Sequence, residues 1–160
     1  MKKKNLMKSL TALVLSVLMV LSLAACGAKP SDGGKDEDKD GYTVAIIKQM
    51  DHASLDEIAD AIAARLDAIA QEQNVSIRYT ITSGQGDQSV LKQLADQAVA
   101  DQVDAIIPIA TTAAQVSAVA AEDSRTPVVY AAISDPDTAK LTGIDYVTGT
   151  SDALNTEYIL

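Results

Sequence analysis

Short apolar runs alternate with longer stretches in which apolar residues recur every three or four positions, from residue 43 onward. The short runs predict buried strands and the longer stretches predict amphipathic helices. The predicted strands are Thr43–Lys48, Val75–Ile81, Asp104–Ile109 and Pro127–Ile133. Strands that alternate with helices at this spacing predict βαβ units with right-handed crossovers. The predicted fold class is therefore α/β, an open doubly wound parallel sheet with helices on both faces.

Polar residues at the starts of the apolar stretches predict where the helices begin. Two pairs have the spacing of a capping box, and two further residues are suited to cap the helix between them: Ser54 with Glu57, Thr112 with Gln115, and Asp87 or Ser89. After the fourth strand the pattern is weaker. It predicts a loop, a fifth strand and a further helix, at Ser134–Lys140, Leu141–Val147 and Asp152–Leu160.

The first 26 residues have the features of an export signal that ends in a lipidation site. Four lysines precede an apolar run of about 14 residues, and the small residues Ala24 and Ala25 lead to Cys26. A membrane-spanning helix needs ~20 residues, so the run is short for an anchor. We predict a signal peptide over residues 1–25 and acyl chains, palmitate among them, on Cys26. The protein would then lie on the extracytoplasmic face of the cell membrane. A plain signal peptide with a chance cysteine and a transmembrane anchor are the alternatives.

The residues after Cys26 are polar and contain almost no side chain that a core could bury. Residues 27–41 read GAKPSDGGKDEDKDG, which predicts a disordered acidic tether over residues 26–41. The charged run Lys35–Asp40 within it has the alternative interpretation of a calcium loop. It lacks the glutamate and the flanking helices that such a loop needs. A solvated tether is the better interpretation.

Charge and composition exclude several classes of protein. The chain has 13 Lys and Arg against 22 Asp and Glu, and removal of residues 1–25 takes away four lysines and no acid. The mature part then has nine basic and 22 acidic residues, a formal charge of −13, which disfavours nucleic-acid binding. With one cysteine, one histidine and no nucleotide-binding glycine motif, the sequence predicts no metal and no cofactor.

Four loops would meet at the carboxyl edge of the predicted sheet, where doubly wound folds bind ligands. They are Gln49–His52, Ser83–Asp87, Ala110–Thr112 and Ser134–Asp137. Thr111 and Thr112 would combine two hydroxyls with the N–H groups of a helix start, which suits a carboxylate or a phosphate. The alternative interpretation is equally well supported: Thr112 would serve only as a helix cap, and Thr111 would be only the end of a strand. Asp135 either binds an ammonium group or caps the segment after it.

His52 is adjacent to Asp51, and such a pair is one element of acid–base catalysis. No G-x-S-x-G elbow or other nucleophile motif accompanies it. We therefore interpret His52 as a structural or ligand-contacting residue and not a catalytic one.

From Thr43 to Asp152 the chain resembles the substrate-binding lipoproteins of ABC importers, in the group that includes tryptophan- and tyrosine-binding members. The matching stretches are Asp51-His52, Ser54-Leu55-Asp56, Gly86-Asp87-Gln88-Ser89, Ala110–Gln115, Ser134-Asp135-Pro136 and Val147–Asp152. Ala53 departs from the family pattern, which often has proline after the histidine. That difference affects the loop and leaves the predicted fold unchanged.

The resemblance implies a binding protein and not an enzyme, with a type I periplasmic-binding-protein-like fold of two lobes joined by a hinge. An amino acid would close between the lobes, and a permease with its ATPase would be the partners. By analogy, the carboxylate of the ligand would meet Thr111, Thr112 and the Ala113 N–H. The further polar contacts would be Gln49, Gln85 and Asp135.

On this interpretation residues 42–150 form the N-terminal lobe and residues 151–160 begin a hinge or crossover helix. The second lobe is absent from the sequence, so we expect either a fragment or a truncated gene, and weak or no binding by this chain alone. The alternatives from other classes are a ligand-sensing or structural lipoprotein with no transport role, a non-functional fragment, and a membrane-tethered flavodoxin-like enzyme. The sequence lacks the cofactor loop or catalytic cluster that the enzyme would need.

Overall fold

The computed structural model describes residues 41–152. The predicted signal peptide, Cys26, residues 26–40 of the predicted tether and residues 153–160 of the predicted hinge helix lie outside this range. Within the range, no helix has the length and apolar character needed to cross a membrane.

The described residues form five strands and three helices. In chain order they are β1 (Gly41–Lys48), α1 (Ala53–Gln73), β2 (Ser76–Ser83), α2 (Gln88–Ala100), β3 (Ala105–Ile109), α3 (Thr111–Ala120), β4 (Val128–Ile133) and β5 (Val147–Ser151). All the strand pairs are parallel, and the order across the sheet is β2-β1-β3-β4-β5. The predicted open parallel α/β sheet is therefore confirmed.

β1 lies inside the sheet and carries the core on both of its faces. Its four consecutive residues from Val44 to Ile47 are all buried, as expected for a parallel strand covered on both sides. Val44 and Ile46 pack with α1, whereas Ala45 and Ile47 pack with α2 and α3. The two faces of one apolar run thus determine that the helices lie on opposite sides of the sheet.

Alanines fill much of the space between the sheet and the helices. Ala95 and Ala98 of α2, and Ala113 of α3, are buried in the same cluster as Ile47 and Ile106. Because an alanine side chain is a single methyl group, the helix backbones pack close to the sheet, and even a small change of volume disturbs such an interface. This part of the core contains no Phe or Trp, since the chain has neither.

The connection between β4 and β5 differs from the sequence-based expectation. A fifth strand was predicted at Leu141–Val147, but β5 begins at Val147 and extends to Ser151. Leu141 is buried by a turn, where its N–H donates to Pro136 O (2.9 Å), and not by strand pairing. Lys140 and Gly143 have positive φ angles, which a strand does not accommodate.

Two of the predicted helix starts are also different in the structure. α1 begins at Ala53, and its cap is His52, whose Nδ1 accepts from the Ser54 N–H (3.3 Å). α3 begins at Thr111, so Thr112 already lies inside the helix and is not its cap. The predicted cap Asp87 is confirmed, because its carboxylate accepts from the N–H groups of Ser89 (2.7 Å) and Val90 (3.4 Å).

Gly149 is expected to be essential for the pairing of β5 with β4. A Cβ at this position would overlap the Tyr130 carbonyl oxygen and ring, and a strand backbone has little freedom to move away. Gly149→Ala should lower the free energy of unfolding by about 3 kcal/mol in urea denaturation.

The matched control is Gly143→Ala, where a Cβ meets nothing within 4 Å and only the positive φ angle opposes the change. That variant should lose about 1 kcal/mol. Equal losses for the two variants would show that the close approach of Gly149 to Tyr130 has no special cost.

Candidate functional site

The topology places a crevice at the carboxyl end of β1. The chain goes from β1 to β2 on one side and then crosses to β3 on the other side, so the order of the strands reverses at β1. In open parallel sheets the loops separate at such a point and leave room for a ligand. The loop after β1 and the start of α3 border this crevice. They contain four of the six predicted ligand-binding residues: Gln49, Thr111, Thr112 and Ala113.

Gln49 is the residue on which these loops converge. Its N–H donates to Ile109 O at the end of β3 (3.1 Å), and its carbonyl oxygen accepts from the Gly86 N–H after β2 (2.9 Å). Its side-chain Oε1 accepts from the Thr112 N–H at the start of α3 (3.0 Å). Of the predicted site residues, Gln49 and Thr112 are therefore brought into direct contact.

The bond to Thr112 also determines which end of the Gln49 amide is available. A backbone N–H needs an acceptor, so Oε1 faces α3 and Nε2 becomes the outer group, with two N–H donors. Within residues 41–152 these donors have no recorded hydrogen-bond partner. Gln49 thus offers a hydrogen-bond donor beside the start of α3.

The first turn of α3 has further donors. Ala114 N–H donates to Ala110 O (3.1 Å) and Thr112 N–H to Gln49, whereas the N–H groups of Thr111 and Ala113 have no recorded partner among the described residues. The Thr111 side chain is exposed, while that of Ala113 is buried. The positive end of the helix dipole adds to these donors, so this turn suits an anionic group.

The backbone at this edge includes conformations that non-glycine residues rarely adopt. Ala110 has φ 77° and ψ 165°, Gln85 has φ 56°, and Ala132 has φ 57° at an irregularity in the pairing of β4 with β5. Each costs about 1–3 kcal/mol, and such residues concentrate at functional sites. All three lie at or near the carboxyl ends of β2, β3 and β4, the edge at which open parallel sheets generally bind ligands.

A charged cluster, which the sequence analysis did not identify, lies beside the crevice. The Lys48 Nζ pairs with Asp51 (3.1 Å) and with Asp56, and the Lys48 side chain is only 13% exposed. The hydrogen bonds that Lys48 donates to Asp56 and then to Asp51 raise the pKa of Lys48, and the bond from Lys48 lowers the pKa of Asp51. A lysine at the end of a buried strand, followed by two nearby aspartates, was the available signal.

Two predicted ligand contacts have other partners in this structure. Gln85 Nε2 donates to Asp51 Oδ2 (3.2 Å). Asp135 accepts from the N–H (3.0 Å) and the hydroxyl (2.5 Å) of Thr138, which lowers the pKa of its carboxyl group. Asp135 therefore has the capping role that was one of its two interpretations. Contact of either residue with a ligand stays a prediction.

His52 has a structural role at the start of α1. His52 Nδ1 lies 2.8 Å from Ser54 Oγ, in the cap of α1, which agrees with the structural interpretation. No group of three or more His, Cys, Asp or Glu residues within 41–152 is placed to hold a metal ion. The polar groups around the crevice are hydrogen-bond donors and acceptors.

A lobe of this topology belongs to the class of open parallel α/β sheets, which bind small molecules beyond the carboxyl ends of their strands. Residues 43–158 match the ABC transporter substrate-binding protein family. The chain belongs to this family, and the resemblance inferred from the sequence is confirmed. Curated protein sequences gave no significant match.

Solved structures agree with this assignment. An ABC domain from Streptococcus pneumoniae in complex with L-Trp is 33% identical, with a TM-score of 0.61 over 71% of this chain and 39% of its own. A ligand-free, open substrate-binding protein with adhesive properties from Clostridium difficile is 25% identical, with a TM-score of 0.64 over 72% of this chain and 40% of its own. A conserved domain protein from Vibrio cholerae is also 25% identical, with a TM-score of 0.65 over 76% of this chain and 42% of its own.

The chain spans about two fifths of the length of these structures. The match therefore covers one periplasmic-binding-protein-like lobe, which is the fold that the resemblance implied.

The Asp87 cap is expected to make the free energy of unfolding decrease as the pH falls. Hydrogen bonds from Ser89 and Val90 lower the pKa of Asp87, so its contribution is complete above the usual aspartate value of about 4 and is lost as the pH falls through the lower folded value. Asp87→Asn keeps an acceptor for the cap but removes the titration. Urea denaturation from pH 6 to pH 2 should show a flatter acid dependence for this variant.

Asp123→Asn is the control, because this exposed carboxylate accepts no recorded hydrogen bond within the described residues. It should leave the acid dependence unchanged. A profile for Asp87→Asn that matches the unmodified protein would contradict the assigned role.

Proposed function

We propose that this protein is the ligand-binding component of an ABC importer, held by lipid on Cys26 at the extracytoplasmic face of the cell membrane. Membership of the ABC transporter substrate-binding protein family supports the binding role. The basic start, the short apolar run and the residues before Cys26 support the anchor. An acylated cysteine with more than one chain is sufficient for stable attachment.

The ligand that suits the site is an amino acid. Its carboxylate would accept hydrogen bonds from the Thr111 and Ala113 N–H groups and from the Gln49 Nε2, with the hydroxyls of Thr111 and Thr112 as further donors. The observation that carries this proposal is the contact between Gln49 Oε1 and the Thr112 N–H, because it orients the Nε2 donor beside the helix start. The relative from Streptococcus pneumoniae with L-Trp bound favours an aromatic amino acid.

Binding would need a second lobe. This chain spans 39–42% of the structures that it matches, and a ligand held at an open crevice has one wall only. Closure of two lobes about a hinge encloses the ligand and excludes water. The closed form would then deliver its ligand to a permease with its ATPase. Genes for these proteins beside this one would favour transport, whereas a sensor kinase gene would favour the sensing role.

Cys26 is expected to determine whether the protein is found in the membrane fraction or in the soluble extracytoplasmic fraction. Cys26→Ser removes the thiol that is acylated and leaves the export signal intact. The variant should appear in the soluble extracytoplasmic fraction, while the unmodified protein stays with the membrane fraction. Immunoblots of the fractions, together with incorporation of labelled palmitate, measure both effects. A Cys26→Ser variant that remains in the membrane would indicate a transmembrane anchor.

Thr111 and Thr112 are expected to contribute to affinity. In a two-lobe form of the protein, replacement of both residues by valine keeps their shape and removes two donors of about 1 kcal/mol each. The dissociation constant for L-tryptophan should rise at least tenfold in calorimetry, since about 1.4 kcal/mol corresponds to that factor.

Two comparisons make the result interpretable. Thr148→Val, on β5 away from the start of α3, should leave the affinity unchanged. The 160-residue chain alone should show no micromolar binding of L-tryptophan. An unchanged dissociation constant for the double variant would remove both threonines from the site, and micromolar binding by the single lobe would contradict the need for a second wall.

A further inference from the structure

Met50 is an apolar residue in an unusual position. It lies in the loop after β1, directly after Gln49, and its side chain is 42% exposed. The other large apolar residues with exposed side chains in residues 41–152 are Tyr42, Ile81, Val119 and Val129, which belong to strands or to α3. Among these residues, Met50 alone belongs to a loop at the carboxyl edge of the sheet.

The end of the Met50 side chain lies beside the loop after β2. Its methyl carbon lies 3.5 Å from the place where a Cβ would stand on Gly86. Gly86 has a φ angle of +76°, and its N–H is bonded to the carbonyl oxygen of Gln49 (2.9 Å). The two loops are therefore joined here, and the glycine has no side chain that would cover Met50. The result is a small apolar surface, formed by the Met50 side chain where it lies beside Gly86.

This surface lies on the opposite side of Gln49 from the helix start. The Gly86 bond comes from the β2 side of β1, and the Thr112 bond comes from the β3 side. Across the crevice the order is an apolar contact, the Gln49 amide, and the free N–H groups of α3. A ligand that matches this order has an anionic group at one end and an apolar group at the other.

We infer that Met50 is a specificity-determining residue that contacts the apolar side chain of the bound amino acid. The inference rests on the proposed amino-acid-binding function and adds the residue of this lobe that would distinguish large apolar side chains from small ones. A methionine is suited to this role because its flexible thioether adapts to different shapes and makes favourable contacts with aromatic rings. The described residues that border the crevice include no aromatic side chain, so Met50 supplies the apolar contact from this lobe.

The test uses the two-lobe protein and three amino acids that share a backbone: L-tryptophan, L-leucine and L-alanine. Met50→Gln keeps the length of the side chain and makes its end polar. It should lower the affinity for L-tryptophan and for L-leucine about tenfold. The affinity for L-alanine should fall less than twofold, because the alanine side chain is too short to reach Met50. Met50→Leu should keep all three affinities within about threefold, since it conserves volume and polarity. Competition calorimetry measures the ratios.

Val119→Gln is the matched control. It makes the same kind of change at an exposed apolar residue on α3, which is 71% exposed, and should leave every affinity unaltered. If Met50→Gln lowers the affinity equally for all three amino acids, Met50 contacts the second lobe and not the ligand. If it lowers none of the affinities, Met50 does not contribute to binding. Either result overturns this inference and leaves the proposed function standing. Failure of the unmodified protein to bind any of the three would overturn the proposed function as well.

Discussion

The three hydrogen bonds of Gln49 are the constraint on which the ligand edge depends. They join the end of β1 to the end of β3, to the loop after β2 and to the first turn of α3. Strands of a parallel sheet are separated in sequence by their crossovers, so nothing local aligns their ends. One residue with three engaged polar atoms performs this alignment and also orients its remaining donor.

The packing beneath this edge serves the same arrangement. Buried alanines on α2 and α3 bring the helix backbones close to the sheet, and the start of α3 is thereby held next to β1. Larger core residues would increase that separation, and a hydrogen bond between Gln49 and Thr112 tolerates only a few tenths of an ångström. The alanine-rich composition therefore matters for the geometry of the site as well as for the stability of the fold.

Periodic patterns predicted the fold well because burial determines them. The buried run Val44–Ile47 identified a central strand, and the regular apolar positions of α1 identified a helix without reference to tertiary structure. The prediction misplaced β5 because Leu141 is buried by a turn. An apolar pattern does not distinguish a residue buried in this way from one buried in a paired strand. The cap of α1 was misassigned because histidine is rarely counted among the residues that cap helices.

The site was predictable in position but only partly in detail. Topology alone placed the loops together and made Thr112 a candidate, whereas Gln49 was named as a contact only through the family resemblance. The partners of Gln85 and Asp135 depend on rotamers and on the precise path of each loop, which no spacing in the sequence determines. The strained conformation of Ala110 is invisible to sequence patterns, because alanine carries no signal for a positive φ angle.

The joined loops have a consequence for rates. Since the loop after β1 is bonded to its neighbours before any solute arrives, capture needs no ordering of this wall, and the entropy cost of building it belongs to folding. The association rate constant would then reflect diffusion and the movement of one lobe towards the other. Differences in affinity between amino acids would be expressed mainly as differences in residence time. Under the proposed function, the residence time would have to be long enough for the loaded protein to reach its permease.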